Sequence, residues 1–421
     1  MFPKRIPTNR EGRLRIAIFI RCFKPCSGGL QKHTADLARA LVARGHQVTV
    51  VTRAISTVPD YRKTFFFSEP ESATEVDGVQ VEVLRHSRYL NSLLWYCMKC
   101  IGRPAFMRLG VWIFNAIFAR QCKALLKGVD VIHHVGQGSE MLGFTAGEVA
   151  RRLRIPFLVQ SAVHPGQWGD GDLDVMLYRR ADLLLAHTEY EALWLRTSGM
   201  HQRIAVVGCG IDDGIPGNGS RFRAKHELVG PIVLFLGRKD DDKGYHLLRE
   251  AMRAVWERRP ETACVLMGPP GSIKDGKADL PPRGRMVEID SASEDEKHDA
   301  LAACDLLCVP SEGESFGLVY MEAGRYGKPV IGRRIPVLEE LIGVTNAGLL
   351  VGRPSKAGNR VDVSAAELAD AILQLICKPS VAAEIGENCR LVSGEFVWTK
   401  VAALFENAYV EALAHYNQGT A

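Results

Sequence analysis

SEGESFGLVYME, residues 311–322, follows the apolar run 306–309 and Pro310 and leads into a helical pattern over 319–325. Strand, polar loop and helix start form the geometry that aims free backbone N–H groups at an anion. Two carboxylates flank the helix start, Glu314 just before it and Glu322 about two turns in. A carboxylate is a poor phosphate ligand but a good acceptor for hydroxyl hydrogens. Phosphate-binding backbone beside hydroxyl-binding carboxylates suits a phosphorylated polyol such as a sugar nucleotide.

Upstream, residues 13–23 alternate and then run apolar, and 30–44 place Leu30, Leu37, Ala38, Leu41 and Val42 on one helical face before Gly45. Residues 47–52 read as the next strand, so the chain opens with a βαβ unit and a parallel sheet. Further strands are expected at 79–84, 131–134, 156–160, 183–187 and 204–207. A Gly- and Asp-rich stretch, 208–219, reads as a linker. A second series follows at 232–236, 264–267, 286–289, 306–309, 329–331 and 349–351. Helical patterns lie between, including 248–257 and 365–376, and a long one from 397 to 414 ends the pattern. At 421 residues the chain is long enough for two domains. The expected fold is α/β, two doubly wound, Rossmann-like parallel sheets facing across a cleft, with ligands beyond the carboxyl ends of the strands.

The spacing Glu, seven residues, Glu, with Ser-Phe-Gly inside and Gly-Lys-Pro-Val-Ile at 327–331, closely resembles the donor-site signature of the retaining family 4 (group 1) glycosyltransferases of GT-B architecture. The resemblance implies that Glu314 contacts the transferred sugar. It implies that the backbone at Ser315, Phe316, Gly317 and Leu318 holds the sugar and distal phosphate, and that Glu322 holds the ribose. Gly28 and Gly29, between the first strand and first helix, match the family's N-terminal glycine loop, where the backbone can approach a ligand closely. Arg238 and Lys243 follow the first strand of the second domain. In the family a Gly-Arg and a Lys-Gly here neutralise the diphosphate leaving group, a role a transferase without metal needs filled. A solvated loop is the alternative, since Asp240, Asp241 and Asp242 crowd the same segment. His164 stands where the family places a histidine near the reacting sugar, and Glu189 lies in a loop resembling the one after the sixth N-domain strand. Gly208-Cys209-Gly210 replaces the usual Pro-Asn-Gly hinge. Pro336-Val337 replaces the usual Gly-Gly near the donor diphosphate, with Glu340 roughly in its family place. The implied domains are 1–210 for the acceptor, 211–395 for the donor, and 396–421 as a helix returning to the first. No metal and no cofactor are expected, the nucleotide sugar being a substrate.

The net charge is +5, and it is local. From 84 to 129 there is no Asp or Glu, while Arg85, Arg88, Lys99, Arg103, Arg108, Arg120, Lys123 and Lys127 are all basic. Without those eight, the remainder carries fewer basic than acidic residues. Trp95, Tyr96, Phe106, Trp112, Phe114 and Phe118 are interleaved with them. Residues 85–127 are therefore expected to touch an anionic membrane surface near a glycan or lipid-linked acceptor, the alternative being two core-packed helices with basic outer faces. No nucleic-acid motif accompanies the charge. No apolar run reaches the length of a bilayer span, and the basic start is not read as a cleaved signal. The 11 cysteines are scattered, with one C-x-x-C at Cys97 and Cys100, and read as unpaired thiols of a reducing cytoplasm. The location expected is cytoplasmic, peripheral to the inner face of the plasma membrane. Two readings from other classes are a nucleotide-sugar 2-epimerase of the same fold and a non-catalytic adaptor that binds sugar nucleotide or membrane.

Overall fold

The computed structural model describes residues 12–26, 28–55, 65–66, 68, 73–200, 202–271, 285–355 and 360–419. Ser27 of the glycine loop, parts of the basic start and part of the segment after Ala54 lie outside the described residues. The chain divides into two compact units. One is Met1–Gly210 with Trp398–Ala421, the other Ile211–Val397.

Among the described residues the first unit holds eight strands: β1 Arg15–Phe19, β2 Gln47–Thr52, β3 Ala73–Val76, β4 Val79–Val83, β5 Val131–Val135, β6 Phe157–Gln160, β7 Leu183–Ala186 and β8 Arg203–Val206. Their spatial order is β3-β4-β2-β1-β5-β6-β7-β8. All neighbours are parallel except β3 with β4. β5, β6 and β7 are buried along their whole length, as expected of strands covered by helices on both faces. The terminal helix Trp398–Gly419 packs on the first helix, Gly29–Ala43, of the same unit.

The second unit holds β9 Ile232–Leu236, β10 Ala263–Met267, β11 Arg285–Ile289, β12 Leu306–Val309, β13 Val330–Arg333 and β14 Gly348–Val351. These form one all-parallel sheet in the order β11-β10-β9-β12-β13-β14. Helix Tyr245–Arg258 buries Leu248, Ala251, Met252 and Val255, the i, i+3, i+4, i+7 stripe of an amphipathic helix on a sheet.

One sequence expectation is overturned, and two features go beyond the sequence reading. First, Cys22 and Cys26 are disulfide-bonded in the loop after β1, so the cysteines are not all free thiols. The loop doubles back through Cys26 N–H to the Phe23 carbonyl, and the Cα atoms come within 6.3 Å, inside the range a disulfide can bridge. Cys97 and Cys100 are free and buried. Second, β3 is an antiparallel edge strand that the sequence reading lacks. Third, the aromatic-basic segment folds as helices Asn91–Cys100 and Pro104–Leu125, which are only half core. Phe114, Phe118 and Met107 are buried, while Trp95, Phe106 and Trp112 are exposed.

Candidate active site

β9 and β12 are adjacent and parallel, so the loops that leave them emerge side by side. The β9 loop turns at Gly244, whose φ of +73° belongs to the left-handed region. A Cβ there would stand 2.5 Å from the Pro310 carbonyl oxygen of the β12 loop, so only glycine lets the two backbones meet. Glu312 N–H donates to the Asp242 carbonyl at 2.8 Å and ties the loops together.

That contact brings Lys243 and Glu314 together, with Lys243 Nζ 2.7 Å from Glu314 Oε1. Ser311, fully buried, donates its hydroxyl to the same oxygen at 2.7 Å. Phe316 turns inward onto Phe396, with ring centroids 4.9 Å apart. Gly317, at φ +88°, caps helix Leu318–Arg325, and a Cβ there would meet the Tyr320 ring at 2.8 Å. Tyr320 is buried, and its hydroxyl donates to the Val309 carbonyl. Burial first, and then the Glu314 charge, pushes its ionisation well above the ordinary tyrosine value. The helix is thus anchored from beneath, with Ser315 in the loop before it.

Arg238 is more exposed and is held by Asp240 at 2.9 Å and Asp242 at 3.1 Å. The acidic run is therefore the partner of the cation. Glu322 meets Lys297 Nζ at 3.2 Å, and lines a small cavity with Asp212, His298 and Tyr326. Lys297, on helix Glu294–Ala303, is missed by the sequence reading because it lies outside the 311–322 motif. Arg333 is also new. It is buried at the end of β13 and donates to the Pro310 carbonyl at 3.2 Å and the Val361 carbonyl at 2.9 Å. Burial lowers its pKa, partly opposed by Glu312. Where the glycine pair is replaced, Pro336–Leu338 makes a helical turn that runs into a π-turn at Glu339–Gly343, which contains Glu340.

In the first unit, Gly28 and Gly29 stand at the start of helix Gly29–Ala43. His164 lies in the loop after β6, its ring stacked on Trp168 with centroids 3.9 Å apart and its backbone N–H donating to the Trp168 carbonyl at 2.9 Å. Glu189 is exposed. Two residues on, Glu191 is the buried carboxylate that supports the His164 loop, accepting from Ser161 Oγ at 2.6 Å and Val163 N–H at 2.8 Å. Beyond β5, Glu140 faces Arg21 at 3.4 Å. Burial pushes the Glu140 carboxyl up to about 7, although Arg21 pulls it down. A carboxyl that titrates near neutrality at a strand end is suited to accept or hold a hydroxyl proton. No spacing in the sequence marks it.

Residues 220–392 match the family described as "Glycosyl transferases group 1", and residues 27–214 match "Glycosyltransferase Family 4". Together the matches take in most of the chain. The chain belongs to the group 1, family 4 glycosyltransferases. Among its relatives is the D-inositol 3-phosphate glycosyltransferase of Corynebacterium glutamicum (strain R), 30% identical over 259 residues, 57% of this chain and 60% of that one. The match thus spans less than two thirds of that relative's own length. The enzyme of the same name from Segniliparus rotundus is 25% identical over 420 residues, 92% of this chain and 85% of that one. The fold is similar to that of HepE from Anabaena in complex with UDP-glucose, with a TM-score of 0.68 and 18% identity, covering 96% of this chain and 100% of that one. The chain has the two parallel-sheet α/β domains expected of that family.

Proposed function

We propose that this glycosyltransferase moves a sugar from a nucleotide-sugar donor, UDP-linked first and GDP-linked second, to an acceptor hydroxyl, with retention and without a catalytic metal. The observation that carries the reading is the assembly of Lys243, Ser311 and Glu314 at two adjacent strand ends, beside Arg238. The donor's C1–O bond to the diphosphate breaks and a C1–O bond to the acceptor forms on the same face. The acceptor proton passes to the departing phosphate oxygen. Lys243 and Arg238 neutralise the charge that builds on the diphosphate, where a metal would otherwise serve. Glu314 and the backbone at Ser315, Phe316, Gly317 and Leu318 hold the sugar and the distal phosphate. Glu322 holds the ribose. Gly28 and Gly29 let the first unit's backbone approach the donor, and His164 contributes near the reacting sugar.

The acceptor we favour is a lipid-linked or polysaccharide precursor at the cytoplasmic membrane face. Exposed Tyr89, Trp95, Phe106, Leu109 and Trp112 among Lys99, Arg103 and Arg108 support contact with anionic lipid. Among the described residues no helix is long and apolar enough to cross a membrane. A second reading, a soluble phosphorylated cyclitol as acceptor, is favoured by the names of the curated relatives.

The test is turnover of UDP- and GDP-sugars with each acceptor class, preceded by a thermal-shift panel of the donors. Donor-dependent transfer, lost in Glu314→Gln, is expected. An isomerised nucleotide sugar formed without acceptor would instead favour the epimerase. Donor binding without transfer to any acceptor would instead favour the adaptor.

A further inference from the structure

His33, His187 and Cys209 are remote in sequence and play no part in the chemistry above. His33 opens the second turn of helix Gly29–Ala43, His187 follows β7, and Cys209 follows β8. All three are buried, and their ligand-capable atoms lie within 4.8 Å of one another. The Gln160 side-chain nitrogen, at the end of β6, is 3.0 Å from His33 Nε2 and 2.9 Å from His187 Nε2.

Glu191 fixes the orientation of His187. Its Oε2 accepts from the His187 backbone N–H at 2.7 Å and faces His187 Nδ1 at 2.9 Å. With Nδ1 facing the Glu191 carboxylate, His187 turns Nε2 toward Cys209 and His33. Carboxylate–histidine–metal chains have this form. The Gln160 amide borders both rings, its nitrogen near each Nε2 and its oxygen 3.3 Å from His33 Nε2. A cation would serve both nitrogens and the sulfur together.

We infer that His33 Nε2, His187 Nε2 and Cys209 Sγ form a buried zinc(II) site, completed by Gln160 with its amide turned to present oxygen. Two imidazoles and a thiolate select zinc over magnesium or calcium, which prefer oxygen ligands. Tetrahedral bonds of about 2.0–2.3 Å put donor atoms roughly 3.3–3.8 Å apart, so from separations of at most 4.8 Å the cluster closes by roughly 1.5 Å at most. Binding releases the Cys209 thiol proton to solvent. Enclosed, the ion is structural. It pins the first helix to the segments leaving β6, β7 and β8.

The full-length protein, purified without chelator from zinc-supplemented cells, is expected to carry about one zinc per chain. Cys209→Ser and His33→Gln are each expected to lose most of it. Because either variant could fail to fold, the wild type is also stripped of zinc and titrated with cobalt(II) chloride. A thiolate-to-cobalt charge-transfer band and tetrahedral d–d bands are expected, with a melting temperature several degrees higher than that of the stripped protein. Absence of zinc and of both cobalt signatures in the wild type would overturn the inference and leave a hydrogen-bonded cluster. Full retention of zinc by folded Cys209→Ser would overturn it as well, by placing the metal elsewhere.

Discussion

Lys243 Nζ meets Glu314 Oε1 at 2.7 Å although the two residues leave different strands, β9 and β12. On the function proposed above, the pairing keeps a cation for phosphate and a carboxylate for sugar hydroxyls beside each other, and a donor would take over part of the contact.

Lys243→Ala and Glu314→Gln are each expected to lower kcat/KM by about 10²–10³. The double variant should fall well short of the product of the two effects, because residues in contact act as a unit. Release of nucleoside diphosphate during transfer measures it. Multiplicative losses would separate the two roles.

Glu322 is paired with Lys297 on helix Glu294–Ala303. Glu322→Ala should raise the donor KM roughly tenfold, the scale of one lost charge-assisted hydrogen bond, with kcat little changed. A fall confined to kcat would contradict a ribose role.

Burial pushes the Glu140 carboxyl up to about 7 from an ordinary 4.5. Between those values the unfolded chain has shed a proton that the folded one keeps, so stability falls as pH rises through this window and then levels off. Glu140→Gln removes that loss. Urea melts should show the variant gaining about 1–3 kcal/mol on the wild type in going from pH 5 to pH 8. A difference between the two proteins that does not vary with pH would refute it.

Trp95 and Trp112 are 52% and 66% exposed on helices without an acidic residue. Replacing both by Ser should weaken sedimentation with anionic phosphatidylglycerol vesicles by roughly tenfold, and raised salt should weaken the wild type similarly. Equal wild-type binding to neutral phosphatidylcholine, or binding to neither, would sink the membrane contact.

Gly244→Ala combines a left-handed φ with a Cβ 2.5 Å from the Pro310 carbonyl, whereas Gly327, at φ +65°, has nothing within 4 Å of such a Cβ. Gly327→Ala should cost about 1 kcal/mol, the backbone term alone. Gly244→Ala should cost roughly 2 kcal/mol or more and also depress turnover by parting the two loops. Equal costs in thermal melts would show that the loops are not in close register.

The parallel strands were legible because their apolar runs are short, continuous and punctuated. Residues 47–52, 232–236 and 306–309 coincide with β2, β9 and β12. β3 was not, since Ala-Thr-Glu-Val carries neither alternation nor an apolar run, and its pairing with β4 is set by the turn at Asp77-Gly78. At the candidate site, residues 311–322 declare themselves through spacing. Lys297, Arg333, Arg21 and Glu140 each reach a partner far away in sequence, so no local pattern reveals them. The Cys22–Cys26 bond was hidden among the scattered thiols. His33, His187 and Cys209 have no ligand-like spacing, because strand order rather than sequence gathers them.

Ile211 N–H donates to the Phe396 carbonyl at 2.8 Å, and Ile211 bridges Val397, so the second unit begins and ends on neighbouring strands of backbone. It is in effect a cassette with both leads at one point. A chimera could exchange the whole of Ile211–Val397 for the corresponding piece of another glycosyltransferase by cutting at two positions that already touch. If the second unit holds the donor as proposed, such an exchange would carry donor choice with it and leave the first unit unchanged.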